Sequence, residues 1–182
     1  MATKSVAVFC ASATGAVPAF REAAVEMGRA LAGRGVGLIY GGSRSGLMGA
    51  VADACLAAGG RVVGVIPEVL VDMEIAHEGL TELHVTSTMH TRKALMSERA
   101  DAFAILPGGL GTMEEMFEVL AWQTIGLHAK PVVLVNVAGF YDSLLAWMDE
   151  AVTAGVLRPS GREVLLEARS VDEALALMEV EG

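Results

Sequence analysis

The residues of this chain that could do chemistry gather in two short stretches, Met89-His90-Thr91-Arg92-Lys93 and Leu106-Pro107-Gly108-Gly109-Leu110-Gly111-Thr112-Met113-Glu114-Glu115. The second follows an apolar run, residues 102–106, that reads as a buried strand. It precedes a helical pattern over about residues 113–125. A glycine-rich turn thus joins the C-terminal end of a strand to the N-terminus of a helix, which is where a parallel α/β sheet holds its ligands. Glycines let the backbone approach an anion, and the first helical N–H groups point at it. The turn therefore reads as a phosphate seat. Local structure accounts for part of the pattern, since Thr112 and Glu115 have the spacing of a capping box with Thr112 as N-cap. Capping does not account for Gly108, Gly109 and Gly111 directly after a proline.

Arg92 and Lys93 open a second predicted helix, and Arg99, seven residues on, shares the face of Arg92. A guanidinium presents a planar fork to two phosphate oxygens. The alternative is a solvated basic face paired to Glu98 or Glu74. Glu115 is the candidate working carboxylate, with Glu114 and Glu118 at other angles of the same helix. In a dry cleft such a group stabilises a developing positive charge or activates water. Ser12, in the loop after the first strand, is a further candidate ligand contact. Gly42 belongs to another glycine-rich strand-to-helix turn, Gly41-Gly42-Ser43-Arg44-Ser45-Gly46-Leu47-Met48-Gly49. The first turn lacks G-x-G-x-x-G and no G-x-x-x-x-G-K-[ST] occurs, which argues against NAD and ATP-driven chemistry. His77, His84, His90 and His128 have no metal-ligand spacing, and no serine sits in a G-x-S-x-G elbow. No metal and no cofactor are expected.

Pro107-Gly108-Gly109-x-Gly111-Thr112-x-x-Glu115, with Arg92-Lys93 upstream, resembles the signature of the Lonely guy (LOG) family, the cytokinin-activating nucleotide phosphoribohydrolases. The likeness extends over nearly the whole chain. It implies cleavage of the N-glycosidic bond of an adenine-type nucleoside 5′-monophosphate to free base and ribose 5-phosphate. It further implies that Gly108, Gly109, Gly111 and Thr112 seat the phosphate with Lys93, that Arg92 and Glu115 carry catalysis, and that Met89 and Glu74 help hold the substrate. Similar sequences are sometimes labelled lysine decarboxylases, but nothing here resembles the layout of a pyridoxal-phosphate enzyme. The chain departs from the family pattern at Ala11, where the first loop usually has glycine, and at Ser43, which replaces a third glycine. Leu110 stands where an aromatic is common and Ala121 where a threonine is usual. These changes bear on base preference and affinity more than on reaction type. Two rival classes remain: a carrier that binds a nucleotide or phosphorylated cofactor without turnover, and a structural relative with vestigial motifs. A carrier has no need of Glu115.

At 182 residues, 53% hydrophobic and 19% charged, the chain is expected to form one domain, residues 1–182, with a sizeable core. The net charge of −9 argues against a general nucleic-acid surface. Cys10 and Cys55 make no disulfide framework, residues 6–10 are too short for a signal-peptide core, and no run reaches the ~18 apolar residues of a membrane helix. A cytoplasmic protein is expected, with no membrane partner. Continuous apolar runs at residues 6–10, 37–40, 62–66 and 131–135 alternate with helical patterns, and residues 83–86 and 164–168 add shorter strand candidates. The alternation indicates a doubly wound, Rossmann-like α/β fold whose mostly parallel sheet has about six or seven strands. In it the loops after Cys10, Tyr40 and Leu106 share one rim. The helix after the main motif is apolar most of the way round (Met113, Met116, Phe117, Val119, Leu120, Trp122, Ile125), more than one sheet face needs. A homodimer is expected, as the family resemblance also implies.

Overall fold

The structure, a computed structural model, describes residues 4–71 and 76–180. Seven strands form one sheet: β1 (Ser5–Phe9), β2 (Gly37–Tyr40), β3 (Val62–Pro67), β4 (Glu82–Thr86), β5 (Ala102–Ile105), β6 (Val132–Val135) and β7 (Leu165–Ala168). Their order is β4-β3-β2-β1-β5-β6-β7, and every pairing is parallel. From β1 the chain steps outward to β4, then returns to the other side of β1 and steps outward again. The reversal lies between β1 and β5, the position at which adjacent loops diverge and leave a crevice.

Alternation along β1 shows why Val6, Ala7, Val8 and Phe9 are all apolar. Val6 and Val8 enter a core packed under α1 (Pro18–Gly33) and α2 (Gly46–Ala57), together with the C-terminal α8 (Val171–Leu177). Ala7 and Phe9 enter the opposite core, under α4 (Met89–Arg99), α5 (Leu110–Thr124) and α6 (Asp142–Thr153). A strand covered on both faces has no polar side to show. The edge strand β4 instead alternates half-buried and exposed residues.

Local sequence sets most boundaries. Pro18 is the first residue of α1. Thr88 caps α4: its side chain accepts from the Thr91 N–H at 3.1 Å while Thr91 Oγ1 accepts from the Thr88 N–H at 3.2 Å. Ser170 likewise caps α8 through the Glu173 N–H. Two boundaries differ from the sequence reading. The helical spacing of Leu144, Leu145, Met148, Ala151 and Val152 predicts a helix over residues 140–154, which begins at Asp142, after a 3-10 turn, Val137–Gly139, in which Ala138 has φ 54°. The helix after the glycine motif begins at Leu110 rather than near Met113. The four-residue α3 (Glu68–Val71) lies in a segment whose sequence has no regular pattern, and the five-residue α7 (Pro159–Glu163) is too short to show a period.

Helices α1 and α2 cross at Gly28. A Cβ there would lie 2.3 Å from the Val51 carbonyl oxygen and 2.9 Å from the Cys55 nitrogen. Both are backbone atoms, so one helix would have to move. The ~0.5–1 kcal/mol that alanine normally gains over glycine in a helix is outweighed by overpacking of about 1–3 kcal/mol. Gly28→Ala is therefore expected to lower the melting temperature by roughly 2–8 °C. Gly33→Ala, at the end of the same helix with nothing within 4 Å, is the control and should be neutral or slightly stabilising. Equal effects of the two in thermal unfolding would contradict the tight crossing.

Candidate active site

Three loops meet at the C-terminal ends of β2, β1 and β5, on one rim. The loop after β1 ties them together. Ala11 N–H donates to the Pro107 carbonyl at 3.1 Å, and the Ala11 carbonyl accepts from Leu47 N–H at 3.0 Å and Met48 N–H at 3.3 Å. Gly46 allows this approach: its φ is +59° and a Cβ would fall 2.3 Å from the Ser12 carbonyl. Tyr141 O–H holds the third loop by donating to the Leu106 carbonyl at 2.8 Å. Between the loops lies a cavity of about 240 Å³, walled by Ser12, Met48, Arg92, Gly111, Thr112 and Glu115 among others.

The start of α5 decides what one wall offers. Gly109 is its N-cap, with no side-chain hydrogen bond to the first-turn amides. A Cβ at Gly109 or Gly111 would meet nothing within 4 Å, so the missing side chains leave that helix end open to the cavity. Gly108 serves packing instead. A Cβ there would lie 2.0 Å from Thr112 Oγ1, so glycine lets Thr112 tuck in, 4% exposed. Capping accordingly does not explain Thr112 and Glu115. Thr112 is the third residue of the helix, not its cap, and Glu115 faces Arg92 instead of reaching back.

Arg92 is 6% exposed and Glu115 8%, and Arg92 Nη1 lies 3.3 Å from Glu115 Oε1. The guanidinium is fixed on its other sides, Nε donating to the Val65 carbonyl at 2.9 Å and Nη2 to the Gly41 carbonyl at 3.3 Å. Gly41 is required for this seat, because a Cβ would come 2.2 Å from Nη2. The sequence reading missed Gly41, Gly46 and Met48. The Gly41-Gly42 doublet after β2 was the available signal for the first, whereas the Val65 carbonyl carries none. Cys10 shares the cavity, and its thiol pKa is pushed far up, chiefly by burial and further by the Glu115 charge. It is a neutral wall, not a nucleophile.

The remaining candidates divide. Ser12, Gly109, Gly111, Thr112, Arg92 and Glu115 come together around the cavity. Met89 does not line it; it is 37% exposed, with Sδ 4.0 Å from Arg92 Nη1. Gly42 does not line the cavity; its φ of +79° and its packing against Ile66 make it a turn residue. Arg99 is turned away from the site and pairs with Glu82 at 3.2 Å. Lys93, expected at the phosphate, does not line the cavity either. Its ammonium is engaged by Glu114 and, at 2.9 Å, by Glu118. Glu74 lies outside the described residues.

A family model described as "possible lysine decarboxylase" matches residues 48–178. The chain is 50% identical over 165 residues to a probable cytokinin riboside 5′-monophosphate phosphoribohydrolase of Oryza sativa subsp. japonica, covering 91% of this chain and 73% of that protein. It is 49% identical over 174 residues to the cytokinin riboside 5′-monophosphate phosphoribohydrolase of Rhodococcoides fascians, covering 95% and 88%. Among solved structures, the molybdenum cofactor binding protein of Rippkaea orientalis superposes with a TM-score of 0.74 at 21% identity, over 98% of this chain and 97% of that one. That likeness shows the fold alone.

The decarboxylase label and the phosphoribohydrolase names imply different chemistry, and Lys93 separates them. A lysine that forms a Schiff base needs its pKa lowered. Burial pulls Lys93 down, but its hydrogen bonds to Glu114 and Glu118 outweigh burial and hold it above the ordinary lysine value. The amine is kept protonated, which does not fit a pyridoxal-phosphate lysine. Borohydride reduction in the presence of pyridoxal phosphate is expected to leave Lys93 unmodified in a peptide mass map. A reduced adduct on Lys93 would reverse this conclusion.

Proposed function

The chain belongs to the Lonely guy family of cytokinin riboside 5′-monophosphate phosphoribohydrolases, and from that we propose that it hydrolyses the N-glycosidic bond of adenine-type nucleoside 5′-monophosphates, plain or N6-modified, in the cytoplasm. Water adds to C1′, the bond from C1′ to the base nitrogen breaks, the base leaves with a proton, and ribose 5-phosphate remains. The observation that carries the proposal is the buried Arg92–Glu115 pair facing an open helix N-terminus across one small cavity. Phosphate binding alone needs only the helix end, and a carrier has no use for Glu115.

In this scheme the 5′-phosphate rests on the amides at Gly109, Gly111 and Thr112, with Ser12 beside it. That anchor is remote from the bond that breaks, so its binding energy positions the ribose. Glu115 lies where the sugar gains positive charge, and Arg92 orients it. Met89 and Glu74 are proposed to help hold the substrate. Three measurements on one substrate panel test this, with free base followed by chromatography. AMP and an N6-modified AMP should yield base, and adenosine should be poor in kcat as well as KM. Glu115→Gln should fold, with a loss of about 1–3 kcal/mol in stability from the weakened buried pair. Its kcat should drop roughly 10²-fold, as when one electrostatic stabiliser is lost. Near-normal hydrolysis by this variant would reduce Glu115 to a structural partner of Arg92.

We also propose a homodimer. No helix among the described residues is long and apolar enough to cross a membrane, yet an apolar face lies open. Phe117 of α5 meets Trp147 of α6 edge to face at 6.1 Å, and Trp147 is 54% exposed. The rings border a hollow of about 330 Å³ that also includes Leu120, Ala121 and Leu157, and Val156 at its edge is 83% exposed. A face of this kind on a water-soluble chain is commonly an interface. Light scattering should give twice the chain mass, and Trp147→Glu should yield monomer. A wild-type monomer with full activity would refute the dimer.

A further inference from the structure

We infer that Lys93 acts as a positioning residue, gripping one turn of α5 through Glu114 and Glu118 so that Glu115 is held against Arg92, and that it does not bind the substrate phosphate. This rests on the phosphoribohydrolase reading for its kinetic test.

The geometry is that of two cations, adjacent in sequence, whose side chains part company. Arg92 and Lys93 leave the second turn of α4 in different directions. Arg92 reaches Glu115, β3 and the loop after β2. Lys93 reaches Glu114 and Glu118, which lie one turn apart on α5 and bracket Glu115. The Lys93 side chain is 7% exposed, the Glu118 side chain 21% and the Glu114 side chain 52%. The lysine is thus buried between the helices, with its outer partner toward solvent.

Charge decides between the two roles. A phosphate brought to this ammonium would meet two carboxylates already on it, and like charges at close range cost more than the shared cation returns. The ammonium also does not line the cavity, whereas the open N-terminus of α5 does. Without Lys93, Glu114 and Glu118 would repel each other at i, i+4 spacing, and Arg92 would be the remaining tie of this cluster between α4 and α5. A small shift of Glu115 relative to the ribose is costly, since displacements near 1 Å can cost on the order of 10²-fold in rate.

The test compares Lys93→Met, which keeps the apolar stem without the charge, Lys93→Arg, Glu118→Gln and the double variant Lys93→Met/Glu118→Gln. Four quantities are measured: melting temperature, AMP affinity by calorimetry, and kcat and KM on AMP and on adenosine. The brace predicts a kcat on AMP reduced about 10-fold in Lys93→Met and in part by Glu118→Gln, with the double variant no worse than the weaker single. AMP affinity and the preference for AMP over adenosine should stay within about twofold of wild type, and Lys93→Arg should recover most of the lost rate. A tenfold or greater loss of AMP affinity in Lys93→Met, or collapse of the nucleotide preference, would place Lys93 on the phosphate and overturn the inference. Additive effects of the two substitutions on melting temperature and rate would overturn it as well, as would wild-type behaviour of both. Calorimetry and thermal unfolding report on the brace even if wild type releases no base, which would count against the proposed reaction alone.

Discussion

The burial of one guanidinium constrains most of what surrounds it. A charge removed from water is tolerable only if its counter-charge and its hydrogen-bond partners are supplied in place. For Arg92 those partners come from three separate parts of the chain: the Gly41 carbonyl after β2, the Val65 carbonyl in β3, and the Glu115 carboxylate in α5. The position of α4 over the sheet, and of α5 beside α4, is therefore fixed by the same contacts that shape the cavity.

Glycine supplies the room that this arrangement needs, in two distinct ways. At Gly41, Gly46 and Gly108 a methyl group would strike the Arg92 guanidinium, the Ser12 carbonyl or the Thr112 side chain, so glycine permits protein to pack on protein. At Gly109 and Gly111 a methyl group would strike nothing, and glycine there leaves an empty approach to the end of α5. Only the second kind makes space for a ligand.

Net charge and local charge point the same way, since Arg92 and Lys93 stand against Glu114, Glu115 and Glu118. The chain carries −9, and its candidate site pairs each buried cation with carboxylates and leaves the N-terminal end of the α5 dipole open to the cavity. Burial pulls the Lys93 ammonium toward a lower pKa, but its pairing with Glu114 and Glu118 holds it above the ordinary lysine value.

By itself the sequence determined the layer architecture and the rim on which the loops meet. Two-sided burial forces unbroken apolar strands such as residues 6–10, and a glycine-rich turn between strand and helix is legible because close packing and an open helix end both leave no place for side chains. What it could not determine were contacts that hinge on which elements become neighbours. Thr112 and Glu115 have capping-box spacing, and only the one-turn-earlier start of α5, with Gly109 as cap, turned Glu115 toward Arg92. Arg92 and Lys93 look alike in sequence, but the crossing of α4 and α5 sends one to the cavity and the other to Glu114 and Glu118. Arg99 looked like a companion of Arg92 until the β4 edge supplied Glu82. Local periodicity fixes what a segment becomes, because it acts through adjacent backbone. The partner of a long charged side chain is decided by packing between distant segments, and that belongs to the tertiary structure alone.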